Sequence, residues 1–274
     1  MARRKATMLK KIVTWAQHQN QVCALVLEGS LAKKQDVDAL SDLDINVWFT
    51  GEVPFGKTVE WLAEIGDVLI ENQLHMDTPA GEIATQLVIF QNGIKVDFSF
   101  WPITYLDNPF PYYEKMEILL DKGAYTQQIK RCVREKTKLA MEKADFNQIV
   151  NEFWFELHYV AKFLKRKEIW FVQDIQAGIR ANYLLPMLEE QARITERNPS
   201  FSGRKMETWL DPVYFNRLPS IFADYSLEAN WQAMWEEISI FEEVTDFIRK
   251  HYQFELPTAK IEGMKHLLRG IQEG

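Results

Sequence analysis

Two short stretches decide the fold, LEGS at 27–30 and SDLDINVWF at 41–49. The first closes an apolar run from Val22 to Leu27, short and unbroken, as a strand covered on both faces would be. Gly29-Ser30 ends that run, and Asp42 follows twelve residues after the serine. From Asp42 to Phe49 polar and apolar residues alternate. Asp42, Asp44, Asn46 and Trp48 point one way, while Leu43, Ile45, Val47 and Phe49 point the other. Residues two apart on a strand share a face and stand about 6–7 Å apart, so Asp42 and Asp44 can hold cations jointly.

Working outward, a third aspartate falls on a similar strand. Gln86 to Gln91, then Asn92-Gly93, then Ile94 to Trp101 predicts a hairpin closed by a type I′ turn. Ile94, Val96, Phe98 and Phe100 share one face of its second strand. Lys95, Asp97, Ser99 and Trp101 share the other, and Pro102 stops the strand. Three carboxylates on strands beside a Gly-Ser turn suit metal-dependent nucleotidyl transfer. Magnesium prefers carboxylate oxygens, and it stabilises the charge that builds on a triphosphate during in-line displacement. Asp42, Asp44 and Asp97 are therefore the candidate metal ligands and catalytic groups, with Asp97 placed to draw the proton from an acceptor hydroxyl. Gly29 permits close backbone approach, and Ser30 offers a hydroxyl and an N–H to phosphate oxygens.

The remaining sequence bounds the setting. At 274 residues the chain has room for two domains. Its net charge of -7 argues against a nucleic-acid binder. Residues 1–138 carry 16 Lys+Arg and 18 Asp+Glu, whereas residues 139–274 carry 16 and 21, an acidic excess mildly favourable to a cationic ligand. Two distant cysteines, Cys23 and Cys132, make neither a disulfide framework nor a zinc site, which fits a reducing, cytoplasmic setting. Met8, Leu9, Ile12, Val13 and Ala16 form a helical stripe rather than a signal peptide, and no apolar run is long enough to span a membrane. The five histidines, His18, His75, His158, His251 and His266, lack metal-ligand spacing.

Val59 to Ile65 predicts a short helix. From Tyr112 onward the pattern predicts helices at 112–121, 125–143, 147–172, 174–196, 212–223, 227–251 and 259–271. The expected fold class is α+β, with an α/β domain over 1–138 and an all-helical domain over 139–274.

LEGS (27–30) and SDLDINVWF (41–49) resemble the signature of the polymerase-β-like nucleotidyltransferase superfamily. A closer resemblance, to the aminoglycoside 6-adenylyltransferases that inactivate streptomycin, runs through WLAEIGDVL (61–69), KVDFSFWP (95–102), ILLDKG (118–123), NEFW (151–154) and YVAKFLKRKEIWF (159–171). It implies an N-terminal mixed sheet with helices and a C-terminal helical bundle, taking ATP, magnesium and a small cationic acceptor. It also implies AMP transfer to an aminoglycoside hydroxyl with release of pyrophosphate. It assigns metal and base roles to Asp42, Asp44 and Asp97, and phosphate contact to Ser30.

On the predicted helix from Asn151, a polar stripe of Asn151, His158, Lys162 and Lys165 lies opposite Phe153, Val160, Phe163 and Leu164. Lys162, in its family context, is the candidate for neutralising the triphosphate, against the reading of an ordinary surface lysine. Glu152 and Glu156, spaced i, i+4, fit either a cationic acceptor or helix-surface ion pairs. Trp154, Trp170 and Trp231 fit either a sugar site or core packing. Two alternatives to aminoglycoside transfer stay open: nucleotidyl transfer to another small acceptor such as a lincosamide, and a non-catalytic nucleotide-binding regulator on this scaffold.

Overall fold

A computed structural model describes residues 2–34, 38, 40–51, 58–134 and 140–274. These residues fall into two compact units, Met1–Thr137 and Lys138–Gly274. The expected boundary at residue 138 lies outside the described residues.

The first unit opens with α1 (Ala2–His18), whose buried residues Met8, Ile12, Trp15 and Ala16 form one helical stripe. Then come β1 (Val22–Glu28), the short α2 (Gly29–Lys33) and β2 (Leu43–Phe49). A 3-10 turn at Glu60–Glu64 stands where a short helix is expected. Next are β3 (Val68–Thr78), β4 (Gly81–Phe90), β5 (Lys95–Pro102), β6 (Glu117–Asp121) and α3 (Thr126–Lys130). The six strands form one mixed sheet in the order β3-β4-β5-β2-β1-β6. Only β2 and β5 pair in parallel; the other neighbours are antiparallel.

The sheet is covered on both faces, as the apolar β1 run predicts. One face sends Leu25, Leu27, Leu43, Ile45, Val47, Val96 and Phe98 into a core with α1 and Trp61. The other buries Ala24, Val26, Trp48 and Trp101 with Tyr113, Ile129 and Cys132. The alternation in β2 thus faces two cores, and its polar end emerges at Asp44.

Four further expectations change in this unit. β2 starts at Leu43, so Asp42 stands just ahead of the strand. The hairpin turn is not type I′, which needs positive φ at both central residues. Of Asn92-Gly93 only Gly93 has it, at +78°. Gly93 N–H donates to Phe90 O (2.8 Å) and Phe90 N–H to Ile94 O (3.0 Å), a four-residue turn centred on Gln91-Asn92 and followed by a left-handed glycine. The helix expected at 112–121 is in part β6, because a three-residue apolar run cannot be assigned by periodicity and the free edge of β1 takes it. The helix expected at 125–143 survives only as α3, which ends at Lys130; the chain then turns and Val133 bridges to Tyr113, while 135–139 lie outside the described residues.

The second unit is helical throughout its regular elements. Its long helices are α4 (Lys143–Lys165), α5 (Ile169–Ile179) and α6 (Leu185–Ile194). Two single-turn helices follow, α7 (Met206–Trp209) and α8 (Pro212–Phe215), then α9 (Leu227–Tyr252) and α10 (Thr258–Glu273). The expected 147–172 helix divides between α4 and α5 at Lys167, where φ is +64°. A π-helical segment, Arg180–Leu184, joins α5 to α6. Phe153 of α4 stacks on Phe241 of α9 with ring centroids 3.5 Å apart, at the centre of this core. Ser226 caps α9 by accepting from the Ala229 N–H.

Candidate active site

The registers of three strands assemble the carboxylates. Asp44 on β2 lies opposite Glu28 on β1 and opposite Asp97 on β5, so Glu28, Asp44 and Asp97 form a row across one sheet face. Asp42, just before β2, joins them through a lysine. The Lys95 ammonium donates to Asp42 Oδ2 at 2.8 Å and to Asp97 Oδ2 at 2.7 Å.

Gly29 turns the chain past this row. Its φ of +70° lies in the left-handed region, and a Cβ there would overlap the Asp44 carboxylate. Backbone conformation and the space beside Asp44 therefore both require glycine. Ser30 follows in the first turn of α2, where backbone N–H groups have no helical partner.

The electrostatics record the crowding. Burial pushes the Asp44 carboxyl up to about 6, helped by the charges of Asp97, Glu28 and Asp42 and opposed by Lys95. Burial also raises Glu28, whose Oε1 accepts from the Tyr112 hydroxyl at 2.9 Å. Tyr112 is in turn held neutral by burial and the Glu28 charge. Burial acts to lower Lys95, but its bonds to Asp42 and Asp97 raise it overall. Behind the row, Trp101 Nε1–H donates to Asn46 Oδ1 and Trp48 Nε1–H to the Tyr113 hydroxyl, fixing the sheet face under the site.

Among the described residues no three carboxylate, imidazole or thiol groups converge as a ready-made metal centre. The donor set nonetheless suits a hard divalent cation. It is all oxygen, it carries more negative charge than Lys95 balances, and Asp97 Oδ1 is buried without a hydrogen-bond partner.

Lys162 belongs to the other unit. It is half-buried on α4, its ammonium 4.4 Å from the Tyr159 ring centroid and 4.9 Å from that of Phe163. Glu152 accepts from Gln148 and lines an open hollow with Asp145, Asn182 and Tyr183. Burial raises the Tyr183 phenol, and the Glu152 and Glu156 charges add to the shift. Trp154 is core, whereas Trp170 is 80% exposed. Sequence reasoning missed Lys95 and Tyr112. The signal for Lys95 was present, since it shares a strand face with Asp97 two residues on. Tyr112 lies in a loop where the sequence pattern predicts the start of a helix.

The family model described as streptomycin adenylyltransferase matches residues 2–271. An aminoglycoside 6-adenylyltransferase of Campylobacter jejuni is 26% identical over 262 residues, covering 91% of this chain and 90% of that protein. One from Bacillus subtilis is 23% identical over 281 residues, covering 98% of each. A crystal structure of an aminoglycoside 6-adenyltransferase from Bacillus subtilis aligns over 97% of each chain at 20% identity and a TM-score of 0.48. On a family match spanning nearly its whole length, this chain belongs to the streptomycin adenylyltransferase family, a family of nucleotidyltransferase enzymes.

Proposed function

We propose that this protein transfers AMP from ATP to a hydroxyl of a streptomycin-type aminoglycoside and releases pyrophosphate. The observation that carries the reading is the in-register Asp44–Asp97 pair beside the Gly29-Ser30 turn, with one Asp97 oxygen left unpartnered. Asp42, Asp44 and Asp97 would hold magnesium, which when bound supplies positive charge to the α-phosphate and to the departing pyrophosphate.

The chain's own groups do the rest. Asp97 accepts the proton of the acceptor hydroxyl as its oxygen bonds to the α-phosphorus. The bond from that phosphorus to the bridging oxygen breaks, and the electron pair leaves with pyrophosphate. Ser30 binds phosphate oxygens through its hydroxyl and N–H, and Gly29 leaves room for them to approach. The net charge of -7 favours a cationic acceptor and disfavours nucleic acid.

The test is a panel of acceptors, streptomycin, other aminoglycosides and lincomycin, each incubated with ATP, magnesium and purified protein. Mass spectrometry reads AMP on the acceptor. Product with streptomycin is expected. Product with lincomycin alone would move the acceptor to the lincosamides. ATP binding without product on any acceptor would favour a non-catalytic role.

A further inference from the structure

We propose that Lys95 is the resident counter-cation of the carboxylate row and that a divalent metal ion enters by displacing it. The inference rests on the reading of Asp42, Asp44 and Asp97 as the metal-holding set. It adds a positioning residue that this reading does not contain.

The geometry is specific. One ammonium spans Asp42 Oδ2 and Asp97 Oδ2, at 2.8 and 2.7 Å, joining the lead-in of β2 to β5. A metal ion held by the same carboxylates needs those oxygens, and two cations do not share them without repulsion. Lys95 is built to leave. Its side chain is a third exposed and carries its charge on a flexible four-carbon stem. Its charge is also insufficient, since Asp97 Oδ1 stays buried and unpartnered while Glu28 and Asp44 complete the row. The pairing therefore holds Asp42 and Asp97 against their mutual repulsion in the metal-free protein and leaves demand for a stronger cation. The hollow beside Lys95 is already basic, lined by Arg4 and Lys5 with Ser41 and Asp42. The released ammonium enters surroundings that attract anions, so metal loading frees a cation for a phosphate group.

The experiment uses the full-length protein without nucleotide. Manganese binding is followed by electron paramagnetic resonance for the wild type, Lys95→Gln and Arg4→Gln. In a second arm, amine acetylation of wild-type Lys95 is read by mass spectrometry with and without manganese. Displacement predicts that Lys95→Gln binds manganese about tenfold more tightly, from loss of the competing ion pairs. Arg4→Gln, an exposed cation on the same hollow, should change binding by no more than about twofold, the share expected of screened charge. Lys95 labelling should rise several-fold when manganese is added. Equal or weaker binding by Lys95→Gln, an equal gain in Arg4→Gln, or unchanged labelling would each overturn the displacement and leave the metal site standing. Absence of manganese binding in wild type and Lys95→Gln alike would sink the metal-holding set, and the role of Lys95 with it. The labelling arm needs no variant, so a Lys95→Gln protein that fails to fold does not rescue the idea.

Discussion

Asp44, a proposed site residue, works against the fold. Its carboxyl sits at about 6, raised first by burial and then by Asp97, Glu28 and Asp42. The unfolded chain titrates near the ordinary aspartate value, so the folded protein holds this proton more tightly. The sign follows: below about pH 4 the group is neutral in both states and costs nothing. As pH rises through 6 the folded state must carry a crowded, half-buried charge. Asp44→Asn should therefore stabilise the metal-free protein at pH 8, by on the order of 2 kcal/mol, and the gain should vanish near pH 4. Thermal melts at both pH values check this, and a destabilised variant at pH 8 would contradict it. The same variant should lose activity, the usual exchange of stability for function. Gly29 belongs to the same arrangement, since its missing Cβ is what lets the Asp44 carboxylate lie against the turn.

At the scale of elements, α9 carries a comparable strain inside the helical unit. Glu237 is fully buried, and neither of its carboxylate oxygens has a hydrogen-bond partner. Burial pushes its carboxyl up to about 8, with Arg180, at the start of the π-helical segment, pulling the other way. Arg180 itself is engaged elsewhere, donating to Ile221 O and lying over the Phe222 ring. Below about pH 4.5 Glu237 is neutral whether folded or not, and its cost grows as pH rises toward 8. Glu237→Gln keeps the shape without the charge, so its melting temperature should exceed that of the wild type at pH 8.5 and match it near pH 4.5. A variant less stable than wild type at pH 8.5 would mean the ionised carboxylate is compensated. Legibility also divides by element. β1, β2 and β5 were readable because their alternation or continuous apolar character is itself the record of burial. β3 escaped because it is an edge strand exposed along most of its length, with no buried face to impose a period. β6 escaped because its strand character comes from pairing with β1 rather than from ILLD itself. The long helices were readable from their stripes. Their ends were less so, since Lys167 and the π-helical segment are set by packing rather than by a breaker such as proline.

For the whole molecule, two aspartates two residues apart, a third 53 residues on and a Gly-Ser turn are the pattern in the sequence that suits nucleotidyl transfer. What they did not reveal was the cation already among them, because a lysine on a strand face reads as solvated surface until the register brings it beside two carboxylates. The surplus of negative charge, concentrated in residues 139–274, bears on the acceptor. A polycationic aminoglycoside drawn by that field should show a KM that rises as salt increases from about 0.05 to 0.5 M, where screening shortens the reach of the field. Initial rates across that range test it, and a salt-independent KM would remove the field from the account. The central claim, that the Asp44–Asp97 pair carries AMP transfer, is tested most directly by one comparison. Wild-type protein and Asp97→Asn are each mixed with ATP, magnesium and streptomycin, and adenylylated drug and pyrophosphate are quantified together. The account predicts equal amounts of the two products from the wild type and a rate lower by about a thousandfold in the variant, the scale of a lost general base. Full activity in Asp97→Asn, or pyrophosphate released without AMP on the drug, would contradict it.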